Sequence, residues 1–307
     1  MINVEKLTKT YKRRISKKEG KIKIINAVNN INLNIKKGEI FGLIGPNGAG
    51  KTTTLKILST LIIPDNGSII IDGNDAIKEA DIVRDKICLL SGEFARSMYW
   101  RLTGLQNLEF FAKLRGIWKP KKRIEELIEL FNLEEYKNER LMKYSTGLKH
   151  KLAFAVGLLH DPPILFLDEP LTGIDPVTAF EIKNLIKNSF KDKTIIWASH
   201  NLYEIEEMCD RISLINNGKI VLEGDPEILK KNYWDHSKIQ ITSNKPDSFK
   251  SLKQAEIKGN YIEIKTSDVK KTFLEIMNLV KDKDIDLIDI KTMRPKLEEI
   301  FMEGVKK

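Results

Sequence analysis

Cysteine is almost missing from this 307-residue chain: Cys88 and Cys209 stand far apart with no metal-ligand spacing. That excludes a disulfide scaffold and a cysteine-built zinc site, and it reads as two inert, buried thiols in a reducing cytosol. Long apolar runs are also missing. No stretch reaches the ~18 apolar residues that a membrane-spanning helix needs, and the N-terminal MINVEKLTKTYKRR lacks the apolar run of a signal peptide. Work at a membrane would therefore require another chain to supply the spanning part. There is no internal repeat, and no heptad pattern of the coiled-coil kind.

Hydrophobic residues make up 41% of the chain, enough for a sizeable core, and the length suits one main domain plus an appendage. The net charge of +9 suits phosphate ligands, nucleic acid or an anionic membrane surface. Many lysines are interspersed with glutamates, however, so the charge discriminates little beyond solubility.

Residues 2–6 and 22–35 alternate apolar and polar side chains and read as strands. The basic stretch KRRISKKEGK (12–21) between them reads as a loop, or as a contact for lipid headgroups or a partner. IFGLI, ILFLDEP (164–170) and TIIWASH are short continuous apolar runs of the buried-strand kind, and 67–73 is a further strand. Helical patterns separate them, which indicates a mainly parallel sheet. From about 92 to 160 three helical patterns follow one another and read as an inserted helical subdomain. ISLINNGKIVLEG reads as a hairpin turning at Asn217-Gly218. After about residue 232 a β-β-α-β-α pattern begins, with strands near 237–242, 260–265 and 285–292 and helices near 268–281 and 295–304. The expected fold is α/β. It has a mainly parallel sheet, an antiparallel β subdomain, the inserted helical subdomain and a small α+β C-terminal domain. Residues 1–231 form the main domain and 232–307 the accessory one.

Gly45-Pro46-Asn47-Gly48-Ala49-Gly50-Lys51-Thr52 fits G-x-x-x-x-G-K-[ST], with a strand before it and a helix after it, so the α/β fold expected is of the P-loop NTPase type. Triphosphate oxygens must lie against backbone N–H groups, and a Cβ at Gly45, Gly48 or Gly50 would obstruct the turn or the approach. The following helix offers unpaired amides and the positive end of its dipole. Lys51 adds a point charge for the β and γ phosphates, Thr52 a hydroxyl for Mg²⁺, and Thr53 lies towards the α phosphate. Asp168 and Glu169 close the apolar run ILFL. The first is placed to hold Mg²⁺ and the second to polarise the attacking water as general base. His200 ends a second buried run. It either bonds the γ phosphate or the water, or caps a helix, whereas His150 and His160 read as structural.

In order and spacing these motifs resemble the nucleotide-binding subunit of an ATP-binding-cassette (ABC) transporter, over about residues 2–230. YSTGLKHKL (144–152) resembles the family's signature, ILFLDEP its magnesium-aspartate and catalytic-glutamate strand, LTGID (171–175) its D-loop and ASH its switch histidine. The resemblance implies that Ser145 and Gly147 cover the γ phosphate held by a second subunit, with Asp175 across the same interface. It implies ATP and Mg²⁺ as ligands, a homodimer, a separate transmembrane permease subunit, no nucleic-acid partner, and a peripheral place on the cytoplasmic face of the membrane. Tyr11 takes the place of the aromatic that stacks on adenine, unless it is simply a strand-end aromatic.

Two departures stand out. The signature has Thr146 and Leu148 where glycine and glutamine are common, a form that resembles an exporter branch. Gly92 falls where the family usually has a glutamine that touches Mg²⁺, so water or Glu93 would fill in, or signalling to the membrane runs differently. YWRLTGLQNL (99–108) still resembles the surface that receives the membrane partner, and RPKLEEIFMEG (294–304) resembles the ending of drug- and antibiotic-exporter motor subunits. The expected function is thus an export motor that hydrolyses ATP. The alternative is a soluble ATPase of the same superfamily acting on nucleic acid or the ribosome; the single cassette and the lack of heptads speak against it. A module that binds ATP without turnover is opposed by Glu169 and His200.

Overall fold

A computed structural model describes the chain apart from residues 15–21, 93–96, 234–236, 253–254, 260, 267, 284, 294–296 and 307. It divides into two compact units, Met1–Glu223 and Gly224–Lys307.

The first unit opens with β1 (Ile2–Arg14) and β2 (Ile22–Ile35), paired antiparallel from Ile2↔Ile35 to Arg14↔Ile22. Ile2 and Val4 alternate into the core. Lys6 at φ 51° and a register shift between Val4 and Leu7 then turn Leu7 inward as well. The strand is longer than the 2–6 expected from alternation. Lys12, Arg13 and Arg14 of the basic stretch are strand, because β2 offers their backbone a ladder whatever their side chains. The rest of that stretch, 15–21, lies outside the described residues.

There follow β3 (Ile40–Ile44), α1 (Lys51–Leu58), β4 (Asn66–Ile71), β5 (Asn74–Asp75), α2 (Ala80–Lys86) and β6 (Ile87–Ser91). Next come α3 (Gly104–Leu114), α4 (Lys121–Leu130) and α5 (Thr146–Gly157), the helical stretch expected between 92 and 160. A capping box starts α3: the Thr103 hydroxyl accepts from Gln106 N (3.1 Å) and Gln106 Oε1 accepts from Thr103 N (2.9 Å). Then come β7 (Ile164–Asp168), α6 (Pro176–Ser189), β8 (Thr194–Ser199), α7 (Leu202–Met208), β9 (Arg211–Asn216) and β10 (Lys219–Gly224).

One sheet runs β2-β1-β4-β5 and is antiparallel. The other runs β10-β9-β3-β8-β7-β6, and β9, β3, β8, β7 and β6 are parallel neighbours. The continuous apolar runs of β7 and β8 are buried at every position, as a sheet covered on both faces requires. Residues of both sheets and of α1 share one core, which includes Ile2, Phe41, Leu55, Ile71, Phe166 and Ile196. Full burial of side chains such as Phe41 and Phe166 contributes about 1.5–3 kcal/mol each. Cys88 and Cys209 are free and buried, and burial pushes the Cys88 thiol up to about 12, which makes it inert at neutral pH.

The second unit begins with α8 (Pro226–Tyr233) and continues with β11 (Ser237–Ser243), β12 (Ala255–Lys258), β13 (Tyr261–Thr266), α9 (Val269–Asp282), β14 (Leu287–Met293) and α10 (Leu297–Lys306). Its antiparallel sheet has the order β12-β13-β11-β14 and its own core around Ile239, Phe249, Ile262 and Ile276. The strand expected near 260–265 is β13. It has a hairpin partner, β12, that the sequence reading missed: four residues are too few to show a period. Residues 294–296 of the tail motif lie outside the described residues.

Candidate nucleotide-binding and hydrolysis site

The loop between β3 and α1 is pressed against its neighbours at two glycines. A Cβ on Gly45 would lie 2.3 Å from Ile215 O, and one on Gly50 would lie 2.2 Å from Ala27 O, with Gly50 at φ 114°. At Gly50 only glycine satisfies both the left-handed backbone and the close approach, and at Gly45 the close approach alone requires it. Gly48 differs: space is open around it, and its φ of 81° alone explains the residue type. The Asn217-Gly218 turn is the expected two-residue hairpin, with both residues at positive φ. It also supports the loop, since Gly218 N donates to Ala49 O (2.8 Å) and Gly218 O accepts from Asn29 N (2.7 Å). The sequence offered no sign of that contact.

The N-cap of α1, Gly50, has no side chain to occupy the first-turn amides, so these remain for a ligand. A cleft of about 260 Å³ opens there, lined by Ile25, Ala27, Pro46, Asn47, Gly48, Ala49, Gly50, Lys51, Thr52, Thr53 and Glu169. The buried Lys51 ammonium donates to Gly45 O (2.7 Å) and stands 3.6 Å from Glu169 Oε1. Tyr11 does not line the cleft. It lies opposite Ile25, which does, and on the same face of the β1–β2 ladder, half exposed with the Lys9 ammonium 6.0 Å from its ring.

Parallel register assembles the acidic side of the site. Asp168, at the end of β7, is level with Ser91 of β6 and Ala198 of β8. Its Oδ1 accepts from the Thr52 hydroxyl at 3.1 Å. Burial, with the neighbouring Glu169 charge adding to it, pushes the Asp168 carboxyl above the usual carboxylate range. Glu169 sits at φ 52°, held by its own N–H to Ala198 O (2.8 Å). Its carboxylate meets His200 Nδ1 at 2.8 and 2.9 Å, accepts from His200 N (3.1 Å), and lies near the hydroxyls of Ser199 (3.3 Å) and Thr172 (3.5 Å). Gly92 N donates to Asp168 O (3.0 Å), and a Cβ there would stand 3.0 Å from Glu169 O. Glu93, the possible substitute for the missing glutamine, lies outside the described residues.

Among the described residues no group of three or more His, Cys, Asp or Glu side chains could hold a metal ion. Mg²⁺ does not need such a cage, because it is commonly held by one or two protein oxygens plus substrate phosphates. Thr52 and the buried Asp168 are a hard-oxygen pair of that kind, and Asp168 has a desolvated charge for a cation to offset.

The remaining motif residues come together elsewhere. Ser145 caps α5, accepting from Leu148 N (3.2 Å), and Asp175 caps α6, accepting from Thr178 N (3.0 Å) and the Thr178 hydroxyl (2.8 Å). Those bonds hold the exposed Asp175 carboxyl below its usual range. A Cβ on Gly147 would lie 2.5 Å from the Thr178 hydroxyl, so α5 and α6 are in contact at this point. None of Ser145, Gly147 and Asp175 lines the cleft of its own chain. His150 and His160 do not line the cleft: burial holds both below the usual imidazole range, and His160 Nε2 faces Ile87 O at 3.1 Å.

A family model described as "ABC transporter" matches residues 28–172. The chain is 34% identical to the doxorubicin resistance ATP-binding protein DrrA of Mycobacterium tuberculosis, over 94% of this chain and 91% of that one. It is 30% identical to the daunorubicin resistance ATP-binding protein DrrA3 of Streptomyces coeruleorubidus, over 90% of each. Among solved structures it is similar to an ATP-binding cassette captured as a dimer in a post-hydrolysis state with ADP and Pi. That similarity has a TM-score of 0.63 and 29% identity, over 73% of this chain and 98% of that one.

Proposed function

The chain belongs to the ABC transporter ATP-binding family, and on that premise we propose that it is the ATP-hydrolysing motor of an exporter, coupled to separate transmembrane subunits. Membership makes it an ATP-binding subunit of the drug-exporter-like kind and an ATP hydrolase by family. The nucleic-acid reading is not favoured, since the relatives that cover nearly the whole chain are drug-resistance proteins. No helix among the described residues is long and apolar enough to cross a membrane, in keeping with a motor that docks on a permease at the cytoplasmic face.

The observation that carries the reading is the convergence of Thr52, Asp168, Glu169, Lys51 and His200 at one end of the parallel sheet, linked by the 2.8–3.6 Å contacts above. In the proposed mechanism the loop amides and Lys51 bind the triphosphate. Thr52 and Asp168 would hold Mg²⁺, which would neutralise phosphate charge. Glu169 accepts a proton from the attacking water while His200 orients it. Ser145 and Gly147 do not reach the cleft of their own chain, which supports their acting on the nucleotide of a second copy, with Asp175 beside them. In this reading Tyr11, on the face shared with Ile25, meets the adenine. The unit Met1–Glu223 is the motor domain and Gly224–Lys307 an accessory domain, so that α8, which the expected boundary at 231 would cut, falls wholly in the second.

Phosphate release from Mg·ATP by the purified full chain tests the enzyme, and its absence under all Mg·ATP conditions would overturn the proposal. Affinity capture from solubilised membranes tests the coupling. The expected catch is a protein with about six apolar spans, each ~20 residues long. Salt-sensitive recovery of RNA instead would point to the nucleic-acid reading.

A further inference from the structure

Ser199 is fully buried, and its single hydroxyl sits between two carboxylates: Glu169 Oε2 at 3.3 Å and Glu204 Oε2 at 3.1 Å. The oxygen also accepts from Asn201 N (3.0 Å), which fixes its place at the turn after β8. Glu204, in the first turn of α7, is held on its other oxygen by Asn201 Nδ2 (2.9 Å). Neither Ser199 nor Glu204 lines the cleft, so neither touches the nucleotide there.

A serine hydroxyl has one proton to donate. It can satisfy one carboxylate at a time, and the other must be held by different donors. Glu169 has these in His200 and Lys51, whereas Glu204, half-buried, has Ser199 and Asn201. The two negative charges also repel each other, which biases the Glu169 carboxylate towards the Lys51 ammonium and the His200 ring. We infer that Glu204 is a positioning residue for the Glu169 carboxylate, acting through the Ser199 hydroxyl. Burial and the nearby Glu169 charge push the Glu204 carboxyl above the usual range, so the two side chains sense each other across the serine.

The inference rests on Glu169 being the general base, and its test separates the two claims. Mg·ATP hydrolysis and nucleotide affinity are measured for the full-length wild type, Glu204→Gln, Ser199→Ala, Ser199→Thr and the Glu204→Gln/Ser199→Ala pair. Misplacing a reacting group by about an ångström can cost ~10²-fold, so kcat of Glu204→Gln and of Ser199→Ala should each fall by about 10- to 100-fold at unchanged KM. Ser199→Thr, which keeps the hydroxyl, should stay close to wild type. The double variant should be no worse than the poorer single, because both act on one contact. A wild type that does not hydrolyse Mg·ATP overturns both claims. A wild type that does, with Glu204→Gln at full kcat or with the two losses multiplying, overturns the positioning role alone. Loss of activity with a matching rise in KM or a lowered melting temperature would mark a structural role and also overturn it.

Discussion

His200 Nδ1 stands 2.8 Å from one oxygen of Glu169 and 2.9 Å from the other, so a single ring nitrogen straddles the whole carboxylate. The two residues are 31 positions apart and meet because β7 and β8 are parallel neighbours in register. A carboxylate held this way has lost most of its rotational freedom before any substrate arrives, which is the form of preorganisation that a general base needs. Replacing Glu169 with Gln keeps the shape and removes the base proposed above. Turnover should fall by roughly 10²–10⁴ while ATP still binds, and gel filtration with ATP should show a trapped dimer. Persistent monomers would count against the two-subunit site.

Lys51→Ala should abolish ATP binding. Lys51 is buried, bonded to Gly45 O and close to Glu169, so its loss removes the loop's internal tie as well as the charge meant for phosphate. Titration with a fluorescent ATP analogue checks this, and wild-type affinity would defeat the assignment of the loop.

The contact between α5 and α6 predicts a pair effect. Gly147→Ala places a methyl 2.5 Å from the Thr178 hydroxyl and should impair ATP-driven dimerisation and turnover, while nucleotide binding by the isolated chain persists. Adding Thr178→Ala removes the obstructing hydroxyl and should restore part of the loss. Sedimentation with Mg·ATP gives the readout, and equal defects in the single and double variants would show that the crowding is not the cause.

Gly92→Gln adds the family's usual side chain where a Cβ is 3.0 Å from Glu169 O. That spacing is tight enough to shift the Glu169 backbone by a few tenths of an ångström. Hydrolysis, or its response to the membrane partner, should therefore change. Identical rates for wild type and variant, with and without the partner, would show that the position is indifferent.

Asp65 joins β1 to the turn before β4, through Lys9 Nζ (2.8 Å) and the N–H and hydroxyl of Thr10 (2.7 and 2.8 Å). The Lys9 ammonium, with Thr10, lowers its carboxyl to about 2. A folded-state pKa below the unfolded one contributes stability that is present above the ordinary carboxylate range and is lost as pH falls towards about 2. Urea midpoints measured from pH 5 downwards should fall more steeply for wild type than for Asp65→Asn, whose link carries no charge to lose. Parallel curves would remove Asp65 from the acid response.

The phosphate loop was legible because its chemistry is local: glycines, lysine and threonine in one run between a strand and a helix. The runs that resemble the signature and D-loop are local in the same way, and the turn at Asn217-Gly218 was legible for that reason. What that turn supports was not. Its contacts to Ala49 and Asn29 join segments far apart in the chain, and no period or spacing encodes them. The length of β1 was misjudged because pairing with β2 overrides the polar character of 12–14. The strand β12 is simply too short to announce itself.

By itself the sequence determined the alternation of buried strands with helices, the single nucleotide loop and the identities of the acids and the histidine. Each of these follows from residue type and near-neighbour spacing. Only the tertiary structure decided that Glu169 is gripped by His200 and Lys51, that Ser199 stands between Glu169 and Glu204, and that Gly147 is pressed against Thr178. These are contacts between ends of different elements. Their distances depend on strand register and helix packing, which exist only once the core has closed around the sheet.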